Sequence, residues 1–260
     1  MGTPNPRLSV RNSRARGLGT PAAQTVSGRG VSTPQDSSSE AGEPWVSREC
    51  EVILTELLNE ARQLGFLGQG PVREQIARSL AFSVLAHEPP GLAVDLGSGG
   101  GLPGLVLAAV WPTSQFLLVD SNQRRTRWLS AAANRLGVAG RCEIACDRAE
   151  NVARGARRFT ADLVTARSFA PPGPTAECAA PLLKPGGNLL VAEPPMAGLP
   201  STVPDRWPAS GLAVLGLELE KTAVIETRGG PVSISCLTAI SECPPAYPRR
   251  VGVPFKRHLF

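Results

Sequence analysis

Five short apolar runs, each separated from the next by a segment with helical periodicity, constrain the fold of this chain most strongly. The runs are typical of buried strands and read LAVDL (92–96), QFLLVD (115–120), CEIACD (142–147), ADLVTAR (161–167) and GNLLVAE (187–193). The helical segments are 102–110, 123–136, 149–157 and 174–183. Strands that alternate with helices in this way form a parallel sheet with crossover helices on both faces. The sequence therefore predicts a doubly wound α/β domain.

Further elements are predicted on both sides of this alternation. Apolar residues recur at three- and four-residue spacing from Cys50 to Leu64 and from Val72 to Val84, which indicates two helices before the sheet. Two later runs, 211–219 and 232–240, are expected to close the sheet as a pair of strands.

The ends of the chain differ from its middle in composition. The first 44 residues are rich in Gly, Ser, Pro and Arg and carry few large apolar side chains, so we expect a disordered tail. The last residues, YPRRVGVPFKRHLF, are basic and rich in proline, which indicates an extended arm. The expected divisions are a tail (1–44), a helical extension (45–90), the sheet domain (91–245) and the basic arm (246–260).

Composition excludes several classes of function. The formal net charge is +5, but residues 1–35 hold five arginines and no acid, so the rest of the chain has equal numbers of basic and acidic residues. Any basic surface must therefore arise from local clustering. Six cysteines without a CxxC pair and only two histidines disfavour a metal site. No apolar run has the roughly 18 residues of a membrane span, so we expect no membrane association.

The stretch GSGGGLPG (97–104) lies at the first turn from strand to helix. A plain turn needs only one or two glycines, whereas several allow a ligand to approach the backbone. Gly97, Gly99 and Gly101 form GxGxG and not the GxGxxG of dinucleotide-binding loops. Asp95 comes just before them, and its carboxylate would repel a pyrophosphate. S-adenosylmethionine fits better, because it has an amino group, a sulfonium and ribose hydroxyls but no phosphate.

Acidic residues also follow the second and third strands. Asp120 lies about 20 residues beyond the glycines, where a carboxylate can accept hydrogen bonds from both ribose hydroxyls. Its alternative role is to cap the next helix, although Ser121 or Asn122 could do that. Asp147 or Glu150, with Ala149, lies where an adenine edge is expected, and its alternative role is to stabilise a helix N-terminus.

Six motifs together resemble the small-subunit ribosomal RNA guanine-N7 methyltransferases, formerly called glucose-inhibited division protein B. They are DLGSGGGLPG, VDSNQRRTRWL, DRAE, ARSFA, LLKPGGNLLV and the terminal YPRRVGVPFKRHLF, in the order of the family, and the resemblance runs from about Val72 to Phe260. It implies a class I S-adenosylmethionine-dependent methyltransferase fold. That fold is a seven-stranded, mostly parallel sheet with an antiparallel last strand and an N-terminal helical extension.

The resemblance also implies which residues bind the cofactor. Gly97 and Leu102 would hold its methionine part, and Ala149 and Glu150 would lie beside the adenosine. Arg167, in ARSFA, matches a binding arginine of the family. In the second helix the chain departs from the family pattern, because Arg78 and Ala81 stand where a His and an Asp are usual.

The implied reaction needs no catalytic side chain. Guanine N7 has a lone pair in the neutral base, so no general base must remove a proton before attack. His87 and His258 lie far from the loop motifs in the sequence. The implied substrate is 16S ribosomal RNA or the 30S particle, acted on by a cytoplasmic monomer.

Basic residues are candidates for contacts with RNA phosphates. The candidates in the arm are Arg249, Arg250, Lys256 and Arg257. A second cluster, Arg124, Arg125 and Arg127, has a solvated helix face as its equal alternative, and Phe169 is a candidate platform for a base. Three other functions remain open: methylation of another RNA or a small molecule, a nucleotide-dependent oxidoreductase, and a non-catalytic S-adenosylmethionine-binding module.

Overall fold

The computed structural model describes residues 10–12, 46–86, 88–194 and 205–260. Most of the predicted tail and His87 lie outside these ranges. Within them, no helix has the length and apolar character needed to cross a membrane.

Two helices precede the parallel strands, as the periodicity predicted. They are α1 (Arg48–Gln63) and α2 (Val72–Leu85). The Ser47 hydroxyl caps α1 by accepting a hydrogen bond from the Cys50 amide at 3.2 Å. The fully buried side chains of α1 recur at three- and four-residue spacing, and they are Leu54, Leu57, Leu58 and Ala61.

The described residues form one eight-stranded sheet. Its strands are β1 (Val10–Asn12), β2 (Leu92–Leu96), β3 (Gln115–Val119), β4 (Cys142–Ala145), β5 (Ala161–Ala166), β6 (Leu183–Ala192), β7 (Leu217–Ile225) and β8 (Val232–Ala239). Their spatial order is β1-β7-β8-β6-β5-β2-β3-β4. Strands β2 to β6 pair in parallel, whereas β8 runs antiparallel to both of its neighbours. The predicted seven-stranded sheet with an antiparallel last strand is therefore confirmed, with β1 added at one edge.

Helices cover both faces of the sheet. The remaining helices are α3 (Gly104–Val110), α4 (Gln123–Arg135), α5 (Ala149–Arg154), α6 (Pro172–Ala179), α7 (Ala209–Ala213) and α8 (Val253–Lys256). Successive residues of a strand point to opposite faces. Accordingly, Phe116 and Leu118 of β3 pack in the core with α1 to α4, and Leu117 and Val119 pack in the core with α5 to α7. This arrangement confirms the doubly wound architecture.

Three predicted segments differ in the structure. Residues 211–216, expected to begin a strand, instead complete α7 and a turn at Gly216, and β7 begins at Leu217. Short apolar runs do not distinguish a strand from a buried helix by periodicity alone. Residues 10–12 of the predicted tail form β1, which pairs antiparallel with the edge of β7. The arm is not wholly extended, because it contains the helical turn α8.

The strand register brings the candidate loops together. Leu96, Val119 and Ala145 are aligned at the ends of β2, β3 and β4, and Leu96 is also aligned with Ala166 of β5. The segments that follow these strands therefore meet at the carboxyl edge of the sheet, where open α/β sheets bind ligands.

Candidate functional site

The glycine-rich turn folds back over the end of β3. The amides of Gly97 and Ser98 both donate hydrogen bonds to the Val119 carbonyl, at 2.9 and 3.0 Å. Gly97 has a backbone φ of +70°, a conformation that residues other than glycine rarely adopt. A Cβ at Gly97 would also lie 2.7 Å from the Phe169 ring. Close packing by the protein itself thus explains part of the glycine requirement that the sequence analysis assigned to a ligand.

Asp95 stabilises this turn from inside the core. Its carboxylate accepts hydrogen bonds from the Thr165 hydroxyl at 2.8 Å and from the Gly104 amide at 3.2 Å. Burial raises the pKa of this carboxyl to about 6, although these hydrogen bonds oppose the increase. The structure therefore places Asp95 beneath the glycine turn, where its carboxylate holds the backbone, and not in contact with the cavity above.

Asp120 connects the turn to the end of β3. It is 6 % exposed, and its two oxygens accept hydrogen bonds from the Gly99 amide at 3.0 Å and the Asn122 amide at 2.8 Å. Arg125 lies 3.6 Å from it. The Asn122 side chain caps α4 by accepting from the Arg124 and Arg125 amides. Because Asn122 fills the capping role, Asp120 is not needed as a cap, and each of its oxygens can still accept a second hydrogen bond.

A cavity of about 230 Å³ opens beside Asp120, and we call it the glycine-loop cavity. Its lining residues are Gly97, Val119, Asp120, Ser121, Arg125, Asp147, Arg148, Ala149, Glu150, Ser168, Phe169 and Phe255. The structure thus brings together Gly97, Asp120, Ala149 and Glu150, as the sequence predicted. The predicted residues Gly99, Gly101 and Leu102 are not in the lining; Leu102 is 7 % exposed and packs in the hydrophobic core.

Glu150 is fully buried at the wall of this cavity. Its Oε1 accepts a hydrogen bond from the Gly252 amide of the arm at 2.8 Å. Its Oε2 has no hydrogen-bond partner among the described residues, and the closest cation is Arg148, whose Nε lies 3.8 Å away. A buried carboxylate oxygen without a donor is energetically costly and indicates that a ligand or water supplies one.

A second cavity, of about 390 Å³, lies at the ends of β5 and β6, and we call it the arginine cavity. Ser168 and Phe169 line both cavities, so the two adjoin. Arg167, predicted to bind the cofactor, lines the arginine cavity and not the glycine-loop cavity. Its guanidinium donates to the Ser79 hydroxyl at 3.3 Å and to the Gln75 side chain, both on α2.

The four basic residues predicted in the arm differ in their surroundings. Arg249 forms an ion pair with the fully buried Glu177, with Nη2 and Oε2 2.7 Å apart, and its main-chain amide also donates to Glu177. Arg249 is half-buried, and its guanidinium, paired with Glu177, fixes the arm to α6. A contact of Arg249 with RNA stays a prediction. Arg250, Lys256 and Arg257 are exposed.

Several lining residues were not predicted as part of the site, among them Phe255, Arg148 and Arg78. Phe255 of the arm packs edge-on against Phe169, with ring centroids 5.8 Å apart, and Arg148 lies over the Phe255 ring. Arg78 on α2 reaches the arginine cavity and donates from Nε to the Gly229 carbonyl at 2.8 Å. Contacts of this kind join residues far apart in sequence, and only the departure of Arg78 from the family pattern singled it out.

Comparison with known proteins identifies close relatives in sequence. A family model described as rRNA small subunit methyltransferase G (GidB) matches residues 72–194. The chain is 36% identical over 177 residues to the ribosomal RNA small subunit methyltransferase G of Thermotoga sp., which covers 67% of this chain and 75% of that protein. It is also 36% identical over 174 residues to the Prochlorococcus marinus protein of the same name, covering 66% and 69%.

Solved structures share the fold at lower identity. An O-methyltransferase from Bacillus cereus, in complex with S-adenosylhomocysteine, has a TM-score of 0.55 at 12% identity and covers 72% of this chain and 90% of its own. The O-methyltransferase TomG from Streptomyces achromogenes, in complex with S-adenosylmethionine, has a TM-score of 0.52 at 16% identity, with the same coverage. These likenesses confirm the class I methyltransferase fold.

Proposed function

The chain belongs to the rRNA small subunit methyltransferase G family of S-adenosylmethionine-dependent methyltransferases, and from that premise we propose that it methylates N7 of a guanine in 16S ribosomal RNA. The observation that carries this proposal is the pair of adjoining cavities at the carboxyl edge of the sheet. One has buried carboxylates suited to a cationic nucleoside cofactor, and the other is open to an acceptor base.

The residues of the glycine-loop cavity fit the cofactor. When bound, S-adenosylmethionine supplies an activated methyl group on a sulfonium. Asp120 would accept hydrogen bonds from the ribose hydroxyls, and Ala149 and Glu150 would lie beside the adenine. The unpartnered Glu150 oxygen supports this assignment, because it lacks a donor inside a wall that the arm otherwise closes. Glycine at position 97 leaves space for the cofactor beside the turn. Asp95, Gly99, Gly101 and Leu102 stabilise the conformation of the turn.

The protein contributes positioning and electrostatics to the methyl transfer. Guanine N7 attacks with its own lone pair, so no proton has to leave the base first. We therefore assign no catalytic acid or base. The rate enhancement arises from holding N7 in line with the methyl group in a preorganised site.

The exposed cations of the arm are proposed as the RNA-binding residues. Arg250, Lys256 and Arg257 lie on the segment that also carries Phe255 to the glycine-loop cavity. Phosphate contacts at these positions would orient the RNA without reading its sequence. Because N7 faces the deep major groove of an RNA helix, the target guanine must be unpaired or splayed out of a helix.

We also propose that the protein acts as a cytoplasmic monomer on ribosomal RNA or on the 30S particle. We propose the cytoplasm as the compartment because the proposed substrate is ribosomal.

Methyl transfer to 30S subunits tests this function. Purified protein is incubated with S-adenosylmethionine labelled in the methyl group and with 30S subunits from a strain that lacks the protein, and the modified nucleotide is mapped. We expect stoichiometric label as N7-methylguanosine at one position of 16S RNA. Label in another RNA or in a small molecule would favour a diverged paralogue. Cofactor binding without any transfer would favour a non-catalytic module.

A further inference from the structure

Two arginines of the arginine cavity are fixed by neutral groups. Arg78 Nε donates to the Gly229 carbonyl at 2.8 Å. Arg167 donates to the Ser79 hydroxyl at 3.3 Å and to the Gln75 side-chain oxygen. These hydrogen bonds fix the orientation of both guanidinium groups, but they do not neutralise the positive charges.

The positive charge of the cavity exceeds its negative charge. Among its described lining residues are three arginines, Arg78, Arg167 and Arg206, and one carboxylate, Glu193. Glu193 pairs with Arg206 at 2.7 Å and also accepts from the Trp207 indole and the Ser235 hydroxyl. No described carboxylate forms an ion pair with Arg78 or Arg167, so two positive charges of the cavity remain without a counter-ion.

Arg78 and Arg167 are half-buried, and like charges held together away from bulk water are costly unless an anion compensates them. Burial lowers the pKa of Arg167, and the nearby positive charge of Arg78 lowers it further. Asp95 acts on Arg167 in the opposite direction, but its carboxylate is hydrogen-bonded to Thr165 and Gly104 and does not line the cavity. The arrangement is therefore prepared for an anion that enters from outside.

We propose that Arg78 and Arg167 together bind a phosphate of the RNA strand that carries the target nucleotide. The proposal rests on the proposed function, because it takes the acceptor to be RNA. Guanidinium groups match phosphate oxygens with two parallel hydrogen bonds, which makes arginine suited to this contact. The arginine cavity adjoins the glycine-loop cavity at Ser168 and Phe169, so a phosphate held there would place its base close to the methyl group.

Binding of guanine nucleotides tests this site directly. The full chain is saturated with S-adenosylhomocysteine and titrated with guanosine 5′-monophosphate, guanosine 3′-monophosphate and guanosine. For the wild type we expect at least one monophosphate to bind about 10-fold or more tightly than guanosine, since a charge-assisted pair is gained. Arg78→Gln should abolish that preference while leaving the affinity for S-adenosylmethionine unchanged. It should also raise KM for 30S subunits more than it lowers kcat.

Arg73→Gln is the matched control, because Arg73 lies on the same helix and is exposed outside the cavity. It should behave like the wild type in every titration. If Arg78→Gln does not fold, Arg78→Lys replaces it in the titrations. Lysine keeps the positive charge but lacks the paired N–H donors of the guanidinium, so this variant should show a reduced preference for the monophosphate. A preference equal to that of the wild type would overturn the role of the guanidinium.

Three other outcomes would overturn the proposal. They are equal binding of guanosine and both monophosphates to the wild type, equal behaviour of Arg78→Gln and Arg73→Gln, and a loss of S-adenosylmethionine affinity in Arg78→Gln. The last result would mean that the cofactor carboxylate occupies the site. Absence of methyl transfer from the wild type to 30S subunits would instead contradict the proposed function, and the nucleotide titrations would still measure the phosphate preference.

Discussion

The two cavities at the carboxyl edge of the sheet differ in the sign of the net charge that lines them. The glycine-loop cavity has the carboxylates of Asp120 and Glu150, which are 6 % and 0 % exposed. The arginine cavity has the guanidinium groups of Arg78 and Arg167, and Ser168 and Phe169 separate the two. One sheet edge can present opposite charges side by side because different elements supply them. Asp120 and Arg167 directly follow β3 and β5, whereas Glu150 lies in α5 and Arg78 in α2. A cationic cofactor and an anionic RNA can thus be bound next to each other.

The cavities also differ in how they are closed. Phe255 of the arm forms part of the glycine-loop cavity, and the Gly252 amide is bound to Glu150. The arginine cavity is instead lined by residues of α2 and of the segments beside β6 and β8. Substitutions that release the arm should therefore affect the glycine-loop cavity first.

The largest expected effect is that of Arg249→Gln. This change leaves the fully buried Glu177 without its cation, which costs about 3–5 kcal/mol in the free energy of unfolding. Because the arm then loosens, the affinity for S-adenosylmethionine should fall more than the phosphate preference. Urea denaturation measures the change in the free energy of unfolding, and calorimetric titration measures the change in ligand affinity.

The neighbouring Arg250→Gln provides the control for Arg249→Gln. Arg250 is exposed, so its loss should change stability by no more than about 0.5 kcal/mol. It should reduce the salt dependence of RNA binding by about one ion. Equal stability of the two variants would contradict the distinction between a fold residue and a surface residue in the arm.

A smaller effect is expected for Asp120→Ala. Loss of the carboxylate removes the proposed acceptor of the ribose hydroxyls and should weaken S-adenosylmethionine binding by about 1.5–3 kcal/mol, roughly 10- to 100-fold. The phosphate preference of the arginine cavity should persist. Titration of each ligand separately distinguishes the cavities.

Asp162→Ala is the matched control for Asp120→Ala. Asp162 also binds a backbone amide and a cation, Leu92 N at 2.8 Å and Lys184 Nζ at 2.9 Å, but it lies at the start of β5, away from both cavities. Its loss should reduce stability without changing cofactor affinity. If both variants weakened the cofactor alike, the ribose assignment would fail.

The smallest difference is expected between Gly97→Ala and Gly137→Ala. The two glycines have nearly the same φ, +70° and +73°, so both substitutions carry the same backbone penalty. An added Cβ meets the Phe169 ring at 2.7 Å in the first case and nothing within 4 Å in the second. Gly97→Ala should therefore cost about 1–3 kcal/mol more and weaken ligands of both cavities, since Phe169 lines both. Equal free energies of unfolding for the two variants would show that the Phe169 ring moves aside at no energetic cost.

The parallel strands were predicted correctly because they depend on local patterns. Both faces of the sheet are covered, so a strand such as β3 occurs in the sequence as a short apolar run. The Asn122 cap next to Asp120 likewise follows from adjacent residues. The roles of the residues around the glycine-loop cavity stay predictions. The class of fold also follows from the alternation of strands and helices alone. The strand prediction was wrong at 211–216, where a short apolar run fits a strand and a helix equally.

The parts that the sequence missed depend on contacts over long distances along the chain. Glu177 and Arg249 are 72 residues apart, and nothing near either one indicates that they pair. Likewise, Arg167 lies directly after a strand of the cofactor-binding edge, yet contacts with α2 turn it towards the other cavity. A single sequence gives the type and position of a charged residue, but not its partner.

A crystal structure with S-adenosylhomocysteine bound tests the cofactor site most directly. We expect the adenosine in the glycine-loop cavity, with both ribose hydroxyls on the Asp120 carboxylate and the sulfur directed towards Ser168 and Phe169. Density for the nucleoside in the arginine cavity, or ribose hydroxyls held by residues other than Asp120, would contradict this expectation.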